Sequence, residues 1–350
     1  MNKLKFMNHI IKISSLILLV VIIFSSCVRN KVTTHSIAFY NVENLFDTIN
    51  DAGVNDGKYT PENKMPWNTE RYGHKLNQLA RVIKAMDTVN DYPVVIGLSE
   101  IENENVLIDL ANHDSIKDAA YSYLHKNSPD ERGIDVAMLY QTEFYQVLET
   151  HFINVNLPDS GNTTRDILYS KGILVGADTV HLFFNHWVSR WGGQEKTEPF
   201  RIFIAKKLKL ITDSIMNANE EALIILAGDL NDNPNDTSVF NVLGALKPEI
   251  PIQEKKMYNL SLNKFEMGEG SLYYRSWDMF DQFIVSSSML KEESKIHLLN
   301  NDQQIVKYDW MLYKPKKGEA RPSRTAAKYY YGGFSDHLPV MINVSAKSKQ

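Results

Sequence analysis

Short apolar runs bounded by turn residues recur along the chain, and most of them end in, or open on, an acid, an amide or a histidine. Residues 35–42, 93–98, 135–140, 152–155, 173–176, 180–185, 223–227, 283–285 and 340–344 read as strands. Two stretches carry helical spacing instead: Tyr72, Leu76, Leu79, Ile83 and Met86, then Phe200, Ile204, Leu208, Ile211 and Ile215. Strands that follow one another with so few helices between them predict an α/β sandwich, and argue against a purely parallel doubly wound sheet. With 350 residues, 43% of them hydrophobic, the chain can bury a substantial core. The stretch 47–68, rich in Asp, Asn, Gly and Pro, predicts a surface loop over one end of the sheet.

The polar residues at the strand ends carry the chemistry. Asn41 and Glu43 close the first strand, and their two-residue spacing in extended chain predicts that both point to one side. Glu100 follows "VVIGLS", His186 ends "VHLFFNH", and Asp229 and Asn231 sit two apart in "ILAGDLNDNP". Asp281 opens "DQFIVS", and Asp336-His337 precedes the last strand. One acid after a strand is ordinarily a turn or cap residue. Repetition at successive strand ends points instead to a site held by the sheet and opened by its loops.

Other chemistries fail on specific residues. "DLNDNP" starts like a calcium loop, but the sixth and twelfth places hold Pro234 and Phe240 rather than glycine and glutamate. There is no H-E-x-x-H and no G-x-S-x-G. Gly57-Lys58 has Ala52 where a P-loop needs its first glycine. What remains is a set of hard oxygen ligands with two histidines, which suits Mg²⁺ or Mn²⁺ and hydrolysis of a phosphate ester.

The N-terminus stands apart. Lys3, Lys5 and Lys12 precede the apolar run 16–24, then Ser25-Ser26 and Cys27, the only cysteine of the chain. This predicts an export signal over 1–26 and a tether over 27–34, ahead of a domain at 35–350. The arrangement resembles a bacterial lipoprotein signal, which implies a lipidated Cys27, attachment to a membrane, and a location in the cell envelope. A plain signal peptide or a buried anchor helix are the alternatives. Loss of 1–26 would move the formal net charge from −4 to −7, so no overall basic footprint for nucleic acid exists. Locally, Lys314, Lys316, Lys317, Arg321, Arg324 and Lys328 form a basic strip opposed only by Glu319.

In order and content, "FYNVENLFD" (39–47), "GLSEIEN" (97–103), "RGIDVAMLY" (132–140), "NHWVSRWGG" (185–193), "AGDLNDNP" (227–234), "DQFIVS" (281–286) and "FSDHLPV" (334–340) resemble the endonuclease/exonuclease/phosphatase superfamily. The resemblance implies a four-layer α/β sandwich in which helices flank two packed mixed sheets. It implies that Asn41, Glu43 and Glu100 surround a Mg²⁺ or Mn²⁺ ion, Glu100 most directly, with Asp336 supporting it or holding a second. Asp229 would align or deprotonate the attacking water, and Asn231 would hydrogen-bond the phosphate. His337, oriented by Asp281, and His186 would contact that phosphate. The implied activity is that of an exported, monomeric nuclease or phosphodiesterase acting on a phosphate ester, nucleic acid foremost. The alternatives are a phosphatase or phospholipase-like enzyme for small or lipid phosphoesters, and a lipid-anchored binding protein on a retired scaffold. Trp67, Trp187, Trp191 and Tyr329, Tyr330 and Tyr331 are candidates to shape a groove or to fill the core.

Overall fold

The computed structural model describes residues 31–158 and 163–348. The expected signal 1–26 and Cys27 lie outside the described residues. Among the described residues, no helix is long and apolar enough to cross a membrane.

Among the described residues, fourteen strands form two large sheets of seven. In chain order they are β1 (Lys31–Leu45), β2 (Val95–Ile101), β3 (Tyr121–Leu124), β4 (Asp135–Gln141) and β5 (Tyr145–Ile153). Next come β6 (Ile167–Leu174), β7 (Asp178–His186), β8 (Leu223–Asp229), β9 (Ala245–Leu246) and β10 (Met257–Asn259). The last four are β11 (Asp281–Ser286), β12 (Ile296–Leu298), β13 (Gln304–Ile305) and β14 (Val340–Ser348). One sheet runs β12-β14-β1-β2-β4-β3, with β13 also on β14; the other runs β5-β6-β7-β8-β11-β10-β9. Three helices matter for packing: α1 (Thr69–Met86), α2 (Glu104–Ala111) and α3 (Gln194–Ala218).

Alternation along each strand sorts these elements into four layers. In β1, Ala38 and Tyr40 face a core shared with Leu79 and Ile83 of α1 and Leu107 and Leu110 of α2. Ile37 and Phe39 face the other sheet, meeting Leu182, Phe184, Ile225 and Phe283. On the far side, Ile224, Leu226 and Ile284 pack against Ile204 and Leu208 of α3. Strands buried on both faces read as unbroken apolar runs, which is why they stand out in the sequence.

The differences from the sequence reading have local causes. β1 starts at Lys31, inside the stretch expected as tether, because Val32, Thr33 and Thr34 pair with Lys347, Ala346 and Ser345. The strand expected at 152–155 is the end of β5, and the one at 173–176 is the end of β6. Val175 and Gly176 form the turn into β7, both with positive φ. β5 and β6 alternate polar and apolar residues at the sheet edge, so their apolar runs are short. Helix α2 is absent from the sequence reading, although Asn103 caps it by accepting the Val106 amide at 3.2 Å. The loop 47–68 is not merely a surface element: Asp56 and Trp67 are buried, and the Trp67 indole donates to the Phe46 carbonyl at 3.0 Å.

Gly97 on β2 sets how closely the sheets approach. A Cβ there would sit 2.0 Å from a ring carbon of Phe184 on β7. Gly97→Ala is therefore expected to lower stability by about 1–3 kcal/mol through overpacking, read as a fall in denaturant midpoint. An unchanged midpoint would mean that the Phe184 ring moves aside freely.

Candidate active site

Strand register builds this site. β7 runs parallel to β8 and aligns His186 with Asp229, while β11 runs antiparallel to β8 and aligns Asp281 with Asp229. Three polar residues therefore stand abreast on neighbouring strands. From the other sheet, Phe39 pairs with Val340, so His337, just before β14, lies near Asn41, where the regular pairing of β1 with β2 breaks off. The Asn41 carbonyl accepts the Ser335 hydroxyl at 2.7 Å, and that hydroxyl accepts the His337 amide at 3.0 Å.

Asp229 is the hub. Its Oδ2 accepts the Asn41 side-chain amide at 3.0 Å, and its Oδ1 accepts the Asn231 backbone amide at 3.0 Å. His186 Nε2 lies 3.6 Å and His337 Nε2 3.8 Å from Oδ2. Asp281 Oδ2 lies 2.6 Å from His337 Nδ1, so Asp281 holds that nitrogen as the N–H donor and turns Nε2 toward Asp229.

The two histidines differ in charge. Burial alone would lower the pKa of His337, but the carboxylates of Asp281 and Asp229 outweigh it and raise the pKa well above the ordinary value. Burial pushes His186 well below that value, helped by the positive charges of Arg165, Arg132 and His337. At neutral pH His337 is therefore an imidazolium and His186 a neutral ring. Burial raises Asp229 to about 6, with His337 pulling it down and Asp281 pushing it up.

The residues expected around a cation are arranged less simply. Glu43 and Asn41 do not share a direction, because the chain leaves the extended conformation at Glu43 (φ 52°) and Asn44 (φ 57°). Asn41 turns to Asp229, whereas Glu43 accepts the Thr325 amide at 2.6 Å and Arg324 Nε at 3.1 Å. Arg324 also donates to Asp336 at 3.0 Å, so one guanidinium spans two of the expected metal acids. Burial and Asp336 push Glu43 up to about 7, against Lys75, Arg324 and the Thr325 amide. Glu100, itself left-handed (φ 66°), accepts the Asn44 amide at 2.9 Å and keeps Oε1 3.9 Å from His186 Nε2. Asn231 donates its side-chain amide to the Trp187 carbonyl at 3.1 Å.

These donors fit a hard divalent cation. Among the described residues, Asp229, Asp281 and His337 bring one side-chain atom each within 4.8 Å of the others, and since a charged His337 keeps no lone pair for an ion, the two carboxylates are what this cluster offers. Asp281 Oδ1 is buried without a hydrogen-bond partner, a vacancy in bonding that an ion or substrate would satisfy. Glu100, Glu43 and Asp336 add further carboxylate oxygens at the same strand ends.

The endonuclease/exonuclease/phosphatase family pattern matches residues 36–346. The chain belongs to that family. Its enzymes generally use divalent metals. Solved structures share the fold. A truncated TDP2 from Caenorhabditis elegans is similar at 15% identity and TM-score 0.53, over 89% of this chain and 98% of that one. TDP2 from D. rerio in complex with single strand DNA product shows 18% identity and TM-score 0.51, over 89% and 99%. A family protein from Bacteroides thetaiotaomicron shows 15% identity and TM-score 0.50, over 91% and 99%. No curated protein matches the chain.

Within this family site, sequence reasoning misses the supports. Lys75 of α1 is fully buried and donates to Thr325 Oγ1 at 2.5 Å and the Phe334 carbonyl at 2.6 Å, pinning the segment that carries Arg324 and His337. Burial lowers it to about 8, while Glu43 holds it up. Its place three residues after Tyr72 puts it on the apolar face, which was the available signal. Arg165, buried beside Asp130 at 2.9 Å, donates to the carbonyls of His186 and Trp187 and fixes the strand end. Of the aromatics, Trp67 and Trp187 are buried, whereas Trp191, Tyr329 and Tyr331 are exposed.

The raised Asp229 has a cost in stability. Its folded pKa of about 6 lies above the ordinary 3.8, so its contribution to folding is full below that lower value and is lost as pH rises through about 6. The loss is on the order of 3 kcal/mol. In metal-free buffer the Tm of Asp229→Asn relative to the unsubstituted chain is expected to be higher at about pH 8 than near about pH 4, the lost amide acceptor being a cost common to both. A relative Tm that does not rise between the two would show that Asp229 is not strained by burial.

Proposed function

We propose that the protein is a divalent-metal-dependent phosphodiesterase that cleaves nucleic acid, exported and held at a membrane through Cys27. The observation that carries the substrate reading is a groove of about 780 Å³ opening onto Arg324 and Asp336. Tyr273, Tyr274, Arg275, Tyr313, Arg321 and Tyr331 line it, with Tyr274, Tyr313 and Tyr331 all more than half exposed. Two small ribbons present all of these side chains but Tyr331: Leu272–Tyr274 with Ser276–Asp278, and Leu312–Tyr313 with Arg321–Pro322. Arg275 lies over the Tyr274 ring and Arg321 over the Tyr313 ring, at 5.5 and 5.3 Å. Flat rings and cations in one groove suit a flexible polyanion whose bases stack. A net charge of −7 after loss of 1–26 does not oppose this, since Arg275, Arg321 and Arg324 gather locally. The DNA-bound D. rerio neighbour agrees with the reading.

The mechanism follows from the proton positions. Asp229, held by two amide donors and raised to about 6, accepts a proton from the attacking water near neutral pH. His337 presents a charged Nε2–H toward the same point and stabilises the phosphoryl oxygens, with Asp281 fixing the ring. His186 adds a neutral ring beside Asp229. A divalent cation held by Glu100 with Glu43 and Asp336 would offset charge on the phosphate.

The test is a turnover panel of single-stranded and plasmid DNA, RNA, bis-p-nitrophenyl phosphate, inositol phosphates and sphingomyelin, with Mg²⁺ or with EDTA. Metal-dependent cleavage of nucleic acid is expected, with kcat rising as pH passes about 6. His337→Ala is expected to lower kcat about a hundredfold or more with the fold kept. Turnover confined to small or lipid phosphoesters would overturn the substrate reading. No turnover at all would favour a binding protein. Separately, Cys27→Ser is expected to abolish incorporation of labelled fatty acid, and normal labelling would remove the anchor.

A further inference from the structure

Outside the catalytic cluster, a second group of acids meets where the loop 47–68 touches the end of β2. Asp51, Asp56 and Glu102 each place a carboxylate oxygen within 4.8 Å of the others. Asp56 is 0% exposed and Glu102 4%. One oxygen of each buried acid is accounted for: Asp56 Oδ2 accepts the Asp51 amide at 2.8 Å, and Glu102 Oε2 accepts the Asp47 amide at 2.7 Å. The other oxygens, Asp56 Oδ1 and Glu102 Oε1, are buried with no hydrogen-bond partner.

Two orphaned carboxyl oxygens beside a third acid are unfavourable unless a proton or a cation sits among them. Without an ion, burial and the charges of Asp47, Asp51 and Asp56 push Glu102 up to about 8 against the Asp47 amide, so a cation would displace a proton there. Among the described residues, no lysine, arginine or histidine forms an ion pair with Asp51, Asp56 or Glu102. We propose that Asp51, Asp56 and Glu102 bind a structural Ca²⁺ ion, separate from the catalytic cation.

The donor set selects the ion class. All three are oxygen donors with no imidazole or thiolate, which excludes a preference for Zn²⁺ or Cu²⁺. Asp51 and Asp56 come from an irregular loop and Glu102 from the residue after β2; Asp56 and Glu102 are shielded from solvent, and Asp51 is on the open side. Ca²⁺ accepts six to eight oxygens in flexible geometry, whereas Mg²⁺ demands a near-ideal octahedron and gives up its waters reluctantly. The ion would tie the loop to β2 two residues beyond Glu100. That loop comes near the active site: Tyr59 stacks on Phe46 at 3.9 Å between ring centres, and the charges of Glu100 and Glu43 help raise its pKa. A bound Ca²⁺ therefore stiffens the rim of the site rather than joining the reaction.

The test uses the full chain in detergent, stripped with EDTA, in equilibrium dialysis against labelled Ca²⁺ with a large excess of Mg²⁺. One Ca²⁺ per chain is expected, kept in Glu100→Gln and weakened about tenfold or more in Asp56→Asn and in Glu102→Gln. Ca²⁺ should raise the Tm of the unsubstituted chain and leave that of Asp56→Asn unmoved. In EDTA, Asp56→Asn should melt no lower than the unsubstituted chain, since the substitution relieves repulsion, which separates loss of binding from loss of fold. No Ca²⁺ uptake by the unsubstituted chain overturns the proposal. So does uptake that survives Asp56→Asn or disappears in Glu100→Gln. These readouts involve no substrate, so they stand or fall independently of the proposed activity.

Discussion

Two buried carboxylates, Asp229 and Asp281, face each other across adjacent antiparallel strands, and the site depends on how that pairing is tolerated. Like charges directly opposite one another destabilise a sheet. Here His337 sits against both, 2.6 Å from Asp281 and 3.8 Å from Asp229, and the resulting acid–imidazolium–acid array is buried as a unit. His337 arrives from the other sheet, on the segment before β14. The electrostatic need of one sheet is thus met by the other, and the stacking of the two sheets fixes the distance between the groups.

The strand ends are also where the backbone departs from its preferred conformations. Glu43, Glu100 and Asn231 are non-glycine residues with φ between 50° and 66°. Such conformations are maintained only where the surroundings enforce them, and they re-aim side chains that a regular strand would send elsewhere. The enforcing contacts are visible: the Asn44 amide on Glu100, the Thr325 amide on Glu43, and the Asp229 carboxylate on the Asn231 amide. Lys75 and Arg165 brace these segments from behind.

The fold and the gathering of polar residues are legible in the chain for the same reason. A strand buried on both faces must be an apolar run, so β1, β2, β8 and β14 stand out, and their ends are where hydrophobicity stops. The edge strand β5 and its neighbour β6 are half solvated and lose that signal. Side-chain direction is less legible. A two-residue spacing implies a common face only while the chain stays extended, and nothing in "NVEN" announces the left-handed turn that parts Glu43 from Asn41. The bracing residues are hidden because burial of Lys75 or Arg165 depends on partners distant in sequence, Thr325 and Asp130. Arg324 is visible as one cation of a basic strip, but its bridge from Glu43 to Asp336 is a property of the closed fold.

Asp281 and Asp229 hold His337 charged at neutral pH. NMR titration of the His337 ring in metal-free protein measures it directly. The arrangement requires protonation with a midpoint well above the ordinary 6.5, falling in Asp281→Asn. A His337 that titrates at or below 6.5, or whose midpoint does not respond to loss of the Asp281 charge, would contradict the account.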